Sequence, residues 1–265
     1  MVKNKIIILK LGGSIITEKS SGKPKIRRAV IKQLVKELKV FVRRFPKTKI
    51  ILLHGAGSFG HPLVYRHKLL KQPLTSARIS GFAEVVCSMR CMANLLADIF
   101  LSAKLPVFPL QTSAVLNEKN NLSNFFHLKQ ILDAGFIPLL GGDMGLASKK
   151  QAVVVSADKL AVQLAKAFPN SKIIFATDVD GVFEKFPPSK NSQPLASLTR
   201  KKIAQVFKGN NIKKSQHDDV TGKMAGKLRA VLALRKTEVI VFNGLKPGGL
   251  TKALSGKPVG TRLEL

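Results

Sequence analysis

The residues whose types suggest chemistry lie in short Gly-rich or acidic segments, each placed directly after an apolar run. The first is Gly12-Gly13-Ser14, two residues after Lys10. Glycine lets the backbone approach a ligand closely, and successive N–H groups can surround phosphate oxygens. A tight turn without a ligand would use the same residues. At this point the segment therefore allows both interpretations.

The second segment, HGAGSFGH at 54–61, contains a G-x-G-x-x-G match. A dinucleotide site would also need an acidic residue about 20 positions later, at the end of a second strand. The first acid after the segment is Glu84, which falls inside a predicted helix. The dinucleotide interpretation therefore fails. The pattern predicts a Gly-rich anion-binding loop, with His61 as a candidate ligand to the anion.

Acidic residues are scarce: the chain has 15 Asp and Glu against 45 Lys and Arg, a net charge of +30. Carboxylates that remain near Gly, Ser and Thr in such a chain are candidates for function, although Asp also favours turns and helix caps. Six fit this description: Asp143, Asp158, Asp178, Asp180, Asp218 and Asp219. Asp218 and Asp219 come just before Thr-Gly, where a predicted helix that carries Lys227 begins. The N-terminus of such a helix is a good phosphate-binding site.

Apolar runs alternate with segments of helical periodicity. Strands are predicted at 5–11, 49–53, 107–110, 136–140, 152–156, 172–176 and 238–242, with TRLEL as an edge strand. Helices are predicted at 26–44, 79–103, 127–134, 157–168, 199–207 and 222–236, and surface loops at 184–194 and 208–221. This alternation indicates a mostly parallel sheet covered on both faces. The polar segments then converge at the carboxyl edge of that sheet, where ligands bind.

Several classes of protein are excluded. No G-x-x-x-x-G-K-[ST] motif occurs, and two cysteines rule out a disulfide scaffold or a zinc finger. Cys87 and Cys91 read as apolar helix lining, and no metal-binding residues are predicted. No apolar run approaches the length that a membrane span requires. The N-terminus is predicted to be a strand and not a signal peptide. We therefore expect a cytoplasmic protein without a membrane partner.

The charge itself allows two interpretations. A net charge of +30 could indicate a nucleic-acid partner. The basic residues are dispersed over nearly every segment, however, and Trp is absent. We therefore expect a solvated basic surface, with some contribution from phosphate ligands, and no specific nucleic-acid partner.

Taken in order, KLGGSIITEK, HGAGSFGH, GGDM, SADKLA, TDVDGVF and DVTGKMAGKL resemble the amino acid kinase superfamily, and within it the isopentenyl phosphate kinases. The resemblance runs from Lys10 to Lys227. It implies an α/β fold, a three-layer α/β/α sandwich with a mostly parallel central sheet. It also implies a single domain over 1–265, with an acceptor-binding half at about 1–150 and an ATP-binding half at about 151–265. ATP and Mg²⁺ as cofactors and a homodimer follow from the same resemblance.

The resemblance also implies roles for individual residues. Those expected at ATP are Lys10, Gly12, Gly13, Ser14, Lys19, Gly57, Asp178, Lys223 and Lys227. Those expected at the phosphate acceptor are Ala56, Gly57, His61 and Ala157, while Asp158 orients the lysines. Ala56 and Lys223 replace glycines of the commonest family pattern. Helical spacing also makes Phe82, Val86 and Met89 candidates for an apolar acceptor slot, although ordinary core packing gives the same spacing.

The expected function is ATP-dependent phosphorylation of isopentenyl phosphate to its diphosphate. A phosphate monoester is largely a dianion at pH 7, so it needs charge cancellation and alignment more than a base. One alternative is a fosfomycin-type phosphonate kinase, which substrate competition would distinguish. The other is a non-catalytic, basic nucleic-acid-binding protein on the same fold. Retention of Lys10, Lys19, Asp158 and Lys227 argues against it, because a dead kinase could dispense with them.

Overall fold

The computed structural model describes residues 6–18, 23–71, 73–147, 151–184, 192–209 and 220–265. Its strands, in chain order, are β1 (Ile6–Leu11), β2 (Lys49–His54), β3 (Val107–Pro109), β4 (Ile137–Gly141), β5 (Asp143–Ala147), β6 (Gln151–Val155), β7 (Lys172–Thr177), β8 (Ser197–Thr199), β9 (Glu238–Asn243) and β10 (Thr261–Glu264). Within these residues, eight strands form a central sheet in the order β3-β4-β2-β1-β7-β9-β10-β8. All neighbouring pairs are parallel except β9 and β10.

Helices cover both faces of this sheet. They are α1 (Gly13–Ile16), α2 (Arg28–Arg44), α3 (Gly57–Arg66), α4 (Ser76–Ser102), α5 (Phe125–Asp133), α6 (Ala157–Ala167), α7 (Arg200–Gly209), α8 (Val220–Val231) and α9 (Gly249–Ser255). Side chains alternate along β1, so that Ile7 and Leu9 join the core under α2 and α4, while Ile8 joins the core under α6 and α8. This confirms the predicted three-layer α/β/α sandwich.

Most predicted elements are present, with shifts of a few residues at their ends. Three placements were wrong. The run AVVVS is strand β6, but it pairs antiparallel with β5 in a separate two-stranded sheet and not with the central sheet. TRLEL contains β10, which lies between β9 and β8 and not at the edge. HGAGSFGH is a loop only as far as Ala56, because α3 begins at Gly57.

Five of these elements escaped prediction altogether, namely α1, α3, α9, β5 and β8. The predicted helix over 222–236 ends at Val231. The predicted surface loops fall mainly outside the described residues, except that 208–209 belong to α7 and 220–221 to α8.

Helix α4 is long and apolar. One 18-residue window within it has a mean hydropathy of 1.5, so by length and composition it could cross a membrane. The expectation that no segment approaches such a span was therefore too strong. One face of α4, including Val85, Met89 and Leu96, is buried in the core against the sheet. Core helices commonly meet the same criteria.

Candidate active site

Two buried lysines share one carboxylate at the carboxyl edge of the sheet. Lys10 lies near the end of β1, Asp158 in the first turn of α6, and Lys227 on α8. Asp158 Oδ1 is 3.1 Å from Lys10 Nζ and 2.8 Å from Lys227 Nζ. The lysines are only 8% and 4% exposed. The cluster thus joins three elements and carries one net positive charge in a region of low exposure.

The pKa values of these groups depend on burial and on the charges of their neighbours in the cluster. Burial alone would raise the pKa of Asp158, but the charges and hydrogen bonds of Lys10 and Lys227 hold it well below its usual range. Burial lowers the pKa of Lys227 to about 8, and repulsion from Lys10 adds to this, while Asp158 opposes it. One carboxylate cannot satisfy two buried ammonium groups. An anion that enters between them would be held tightly.

Two glycine turns cross beside this cluster, one after β1 and one after β2. A Cβ on Gly13 would collide with the backbone of Gly57, and one on Gly55 would lie 2.6 Å from Gly13 N. Gly57 also has φ of +50°, a conformation that suits glycine. Thr17 Oγ1 links the turns, donating to Gly13 O at 2.7 Å and accepting from Ser58 N at 3.0 Å. The two loops are therefore in direct backbone contact.

A third loop joins them from β4. A Cβ on Gly142 would lie 3.3 Å from Val155 O, 3.6 Å from Ala157 N and 3.9 Å from Ala56 N. Ala157 begins α6, whose N-terminus is capped by Ser156 Oγ, which accepts from Asp158 N at 3.2 Å. The structure thus brings together the loops after β1, β2, β4 and β6. This is the convergence expected from the sequence, even though β6 lies outside the central sheet.

His61 is exposed on the second turn of α3 and not in a loop. Helix α3 packs against α4, where a Cβ on Gly60 would lie 2.7 Å from the Ala56 methyl and 3.0 Å from Met89 Sδ. Met89 is buried, whereas Phe82 and Val86 are half-buried against the same core. The three predicted slot residues thus share the side of α4 near α3. Their contact with an acceptor stays a prediction.

A cavity of about 340 Å³ opens nearby, between α4 and the segment before α2. Phe59 and Leu95 form part of its apolar wall, and Lys25 and Arg28 supply charge. None of the predicted slot residues lines this cavity.

The segment TDVDGVF is tied to the loop after β9. Asp180 Oδ1 accepts from Asn243 Nδ2 at 3.0 Å and lies 2.7 Å from Lys246 Nζ. The hydrogen bond from Lys246 lowers the pKa of Asp180. Asp178 is half-buried two residues earlier. The contact of Asp178 with the nucleoside, which the family resemblance implies, stays a prediction.

Two lysines remain among the residues predicted at ATP. Lys19 lies outside the described residues. Lys223 lies in the first turn of α8.

Near the site, Asp143 was a candidate for function without an assigned role, and three further residues were not predicted at all. Asp143 is buried and accepts from Gln111 Nε2 at 2.6 Å and from Ser113 N at 2.9 Å, which ties β5 to the segment after β3. The GGDM motif had drawn attention to this carboxylate. His54 ends β2, fully buried, with burial lowering its pKa to about 4. The others are Phe175 and Lys246, whose contacts no sequence spacing indicates.

A family model described as the amino acid kinase family matches residues 5–243, most of the chain. The chain belongs to the amino acid kinase family. The matched range includes the loops after β1, β2, β4 and β6, and all three residues of the Lys10–Asp158–Lys227 cluster.

Within this family, the chain is similar to several isopentenyl phosphate kinases over nearly its whole length. The isopentenyl phosphate kinase of Methanothermobacter thermautotrophicus is 29% identical, over 97% of this chain and 98% of that protein. The isopentenyl phosphate kinase of Methanocaldococcus jannaschii is 28% identical, over 98% of each. A crystal structure of isopentenyl phosphate kinase matches with a TM-score of 0.80 at 27% identity, covering 97% of this chain and 99% of that chain.

Proposed function

We propose that this amino acid kinase family member transfers the γ-phosphoryl group of ATP to isopentenyl phosphate, giving isopentenyl diphosphate and ADP. The buried Lys10–Asp158–Lys227 cluster carries the proposal, because it offers paired cations to transferring phosphate. The isopentenyl phosphate kinases that match over nearly the whole chain supply the acceptor.

The chemistry needs little beyond charge and position. An oxygen of the acceptor phosphate attacks the γ-phosphorus in line, a new P–O bond forms, and the bond to the β-phosphate oxygen breaks as ADP leaves. The acceptor is already a dianion, so no strong base is required. Lys10 and Lys227 offset the repulsion between the two anions and the charge that accumulates in the transition state. Asp158 keeps both ammonium groups in place.

The proposed contacts divide between the two substrates, and Gly57 contacts both. Nucleotide contacts fall to Lys10, Gly12, Gly13, Ser14, Lys19, Gly57, Asp178, Lys223 and Lys227. Acceptor contacts fall to Ala56, Gly57, His61, Ala157 and the slot of Phe82, Val86 and Met89. The proposal also keeps an acceptor half over about 1–150 and an ATP half over about 151–265. The contacts cross this division, because the segment from Lys10 to Lys19 reaches the nucleotide from the first half and Ala157 reaches the acceptor from the second.

Mg²⁺ completes the proposed cofactors. The described residues contain no group of three or more His, Cys, Asp or Glu that could hold a metal. Mg²⁺ prefers phosphate oxygens and water over all-protein cages, so here it would bind with ATP and neutralise phosphate charge. A cytoplasmic homodimer completes the proposal.

A panel of acceptors tests the function. Coupled ADP release would be measured with isopentenyl phosphate, dimethylallyl phosphate, fosfomycin and UMP. We expect isopentenyl phosphate to give the highest kcat/KM. Preferential turnover of fosfomycin would favour the phosphonate kinase instead, and no turnover of any acceptor would favour the non-catalytic alternative.

His61 variants test the acceptor side. A cationic or neutral imidazole donor can anchor an acceptor phosphate. His61→Ala should therefore lose most activity, His61→Gln should retain part of it, and KM for ATP should barely change. His127→Ala, at another exposed histidine, is the matched control. Normal acceptor KM and kcat in His61→Ala would remove His61 from the site.

A further inference from the structure

An aromatic ring lies against one of the two buried lysines. Phe175 lies on β7 directly beside Lys10 in the register of β1 and β7, and its side chain is fully buried. Its ring centroid is 4.4 Å from Lys227 Nζ, within the range of a cation–π contact. The Lys227 ammonium group therefore contacts a carboxylate oxygen and the face of a ring at once.

We propose that Phe175 is a positioning residue for phosphoryl transfer, whose ring face holds the Lys227 ammonium group in place and in its charged form. This role rests on the proposed function. Because Phe175 lies behind the lysine in the core, the ring acts through Lys227 and not on the substrate.

The charges around Lys227 explain why such support is needed. Asp158 of α6 attracts the ammonium group at 2.8 Å, but Lys10 of β1 shares the same oxygen and repels it. On α8 itself, Arg229 is exposed and its neighbour Leu228 is buried and apolar. Strand β7 contributes the ring. With burial, this arrangement already lowers the pKa of Lys227 to about 8.

A ring suits this position better than a second acid. A further carboxylate would neutralise the cluster and repel the phosphates that the lysines must bind. The π face is negative but carries no net charge, so it stabilises the ammonium form at little cost to anion binding. An aliphatic side chain of similar volume would fill the core without this effect.

Fluorinated phenylalanines at position 175 separate this role from core packing. Successive fluorines remove negative potential from the ring face while nearly preserving its shape. In the ligand-free protein, the Lys227 pKa would be followed by ¹³C NMR of labelled lysine side chains, with the signal assigned by its loss in Lys227→Arg. We expect the pKa to fall in steps, by about half to one pH unit at trifluorophenylalanine.

Kinetics provide the second readout. The alkaline limb of kcat/KM for ATP, which reports the free enzyme, should move to lower pH in the same steps. The matched control is the same series at Phe242, which is fully buried on β9 in the opposite core. There neither the Lys227 pKa nor the alkaline limb should move.

The outcomes are distinct. An unchanged Lys227 pKa across the series in folded protein would overturn the role of Phe175, and so would an equal change in the Phe242 series. Because the NMR titration requires no turnover, a stepwise pKa change without isopentenyl phosphate kinase activity would retain the cation–π contact and reject the proposed function.

Discussion

At the scale of single residues, the decisive feature is that Asp158 binds two ammonium groups through one oxygen. A buried ion pair normally offsets desolvation only when every charge has a partner. Here one positive charge is left over, and both lysines are nearly inaccessible. The cluster is thus preorganised for an anion at some expense to stability, which is common at functional sites.

The lysines should be essential for turnover. Lys10→Ala or Lys227→Ala removes one preorganised charge from the transferring phosphoryl group, so kcat should fall by about 10²-fold or more. Steady-state kinetics with ATP and isopentenyl phosphate measures this, with circular dichroism to verify folding. Lys159→Ala, which removes an exposed lysine next to Asp158, should behave as wild type. Near wild-type kcat in Lys10→Ala would argue against phosphoryl transfer at this strand end.

Acid sensitivity should come from His54. Its pKa falls from 6.5 to about 4 because burial disfavours the charged ring. The unfolded chain then binds more protons than the folded one between these values, so stability is full above pH 6.5 and falls towards pH 4. The loss amounts to about 3 kcal/mol. The free energy of unfolding in urea at several pH values measures it.

His54→Gln should flatten that dependence between pH 6.5 and 4. Asp158 does not confuse the result: its pKa is depressed below 3.8, so its contribution is present above that value and disappears only at lower pH, as the folded-state pKa is crossed. An equally steep dependence in His54→Gln would assign the sensitivity to another group.

At the scale of elements, the contact between the turns after β1 and β2 depends on glycine. In Gly13→Ala the new methyl would collide with backbone atoms of Gly57, which cannot rotate away. We expect a loss of about 1–3 kcal/mol in stability, as for overpacking, together with most of the activity. Urea unfolding and ADP release measure both. Gly226→Ala, in an open helical position of α8, should instead preserve or raise stability. Wild-type activity in Gly13→Ala would show that the turns can separate freely.

The elements also show what the sequence could predict. Apolar periodicity predicted the strands of the central sheet, except β8, and the long helices. A strand buried on both faces is apolar throughout, and a helix buried on one face has apolar residues at helical spacing. Apolar periodicity could not predict that β6 pairs outside the central sheet, because the apolar run of β6 is like that of a central strand. Helix α3 was missed because Gly60 and Pro62 disfavour helix, yet packing of Gly60 against Met89 outweighs that propensity. Strand β10 was placed at the edge because β8, only three residues long, gave no signal.

The site was predictable in part for similar reasons. Loops that follow parallel strands must converge, so the glycine turns and Asp158 could be grouped from the sequence. The pairing of Asp158 with Lys10 and Lys227 came only from family resemblance, because 69 residues separate Asp158 from Lys227. Nothing in the local pattern of β7 distinguishes Phe175 from other buried strand residues. Only the folded structure shows that the Phe175 ring lies against Lys227.

At the scale of the whole molecule, ion pairs cannot neutralise the positive charge, because 45 Lys and Arg face only 15 Asp and Glu. Among the described residues, acidic groups in ion pairs contact basic residues that are near in the sequence, as Lys25 is to Glu18, or distant, as Lys246 is from Asp180. Glu37, the acid of α2, instead accepts from Gly248 N at 3.1 Å and Thr251 N at 2.8 Å. It therefore caps α9 and leaves the basic surface of α2 uncompensated.

This surplus predicts weak, non-specific association with nucleic acids. Dispersed lysines can release counterions from a phosphate backbone, but they cannot read base edges. Fluorescence anisotropy with several unrelated DNA and RNA duplexes should give similar affinities. The logarithm of the binding constant should fall steeply and linearly with the logarithm of salt concentration. Lys32→Glu combined with Lys36→Glu, on the exposed face of α2, should lower the affinity for every duplex and reduce the salt dependence, while kinase activity stays unchanged. Sub-micromolar binding to one sequence at physiological salt would contradict this, because only specific base contacts survive screening to that degree.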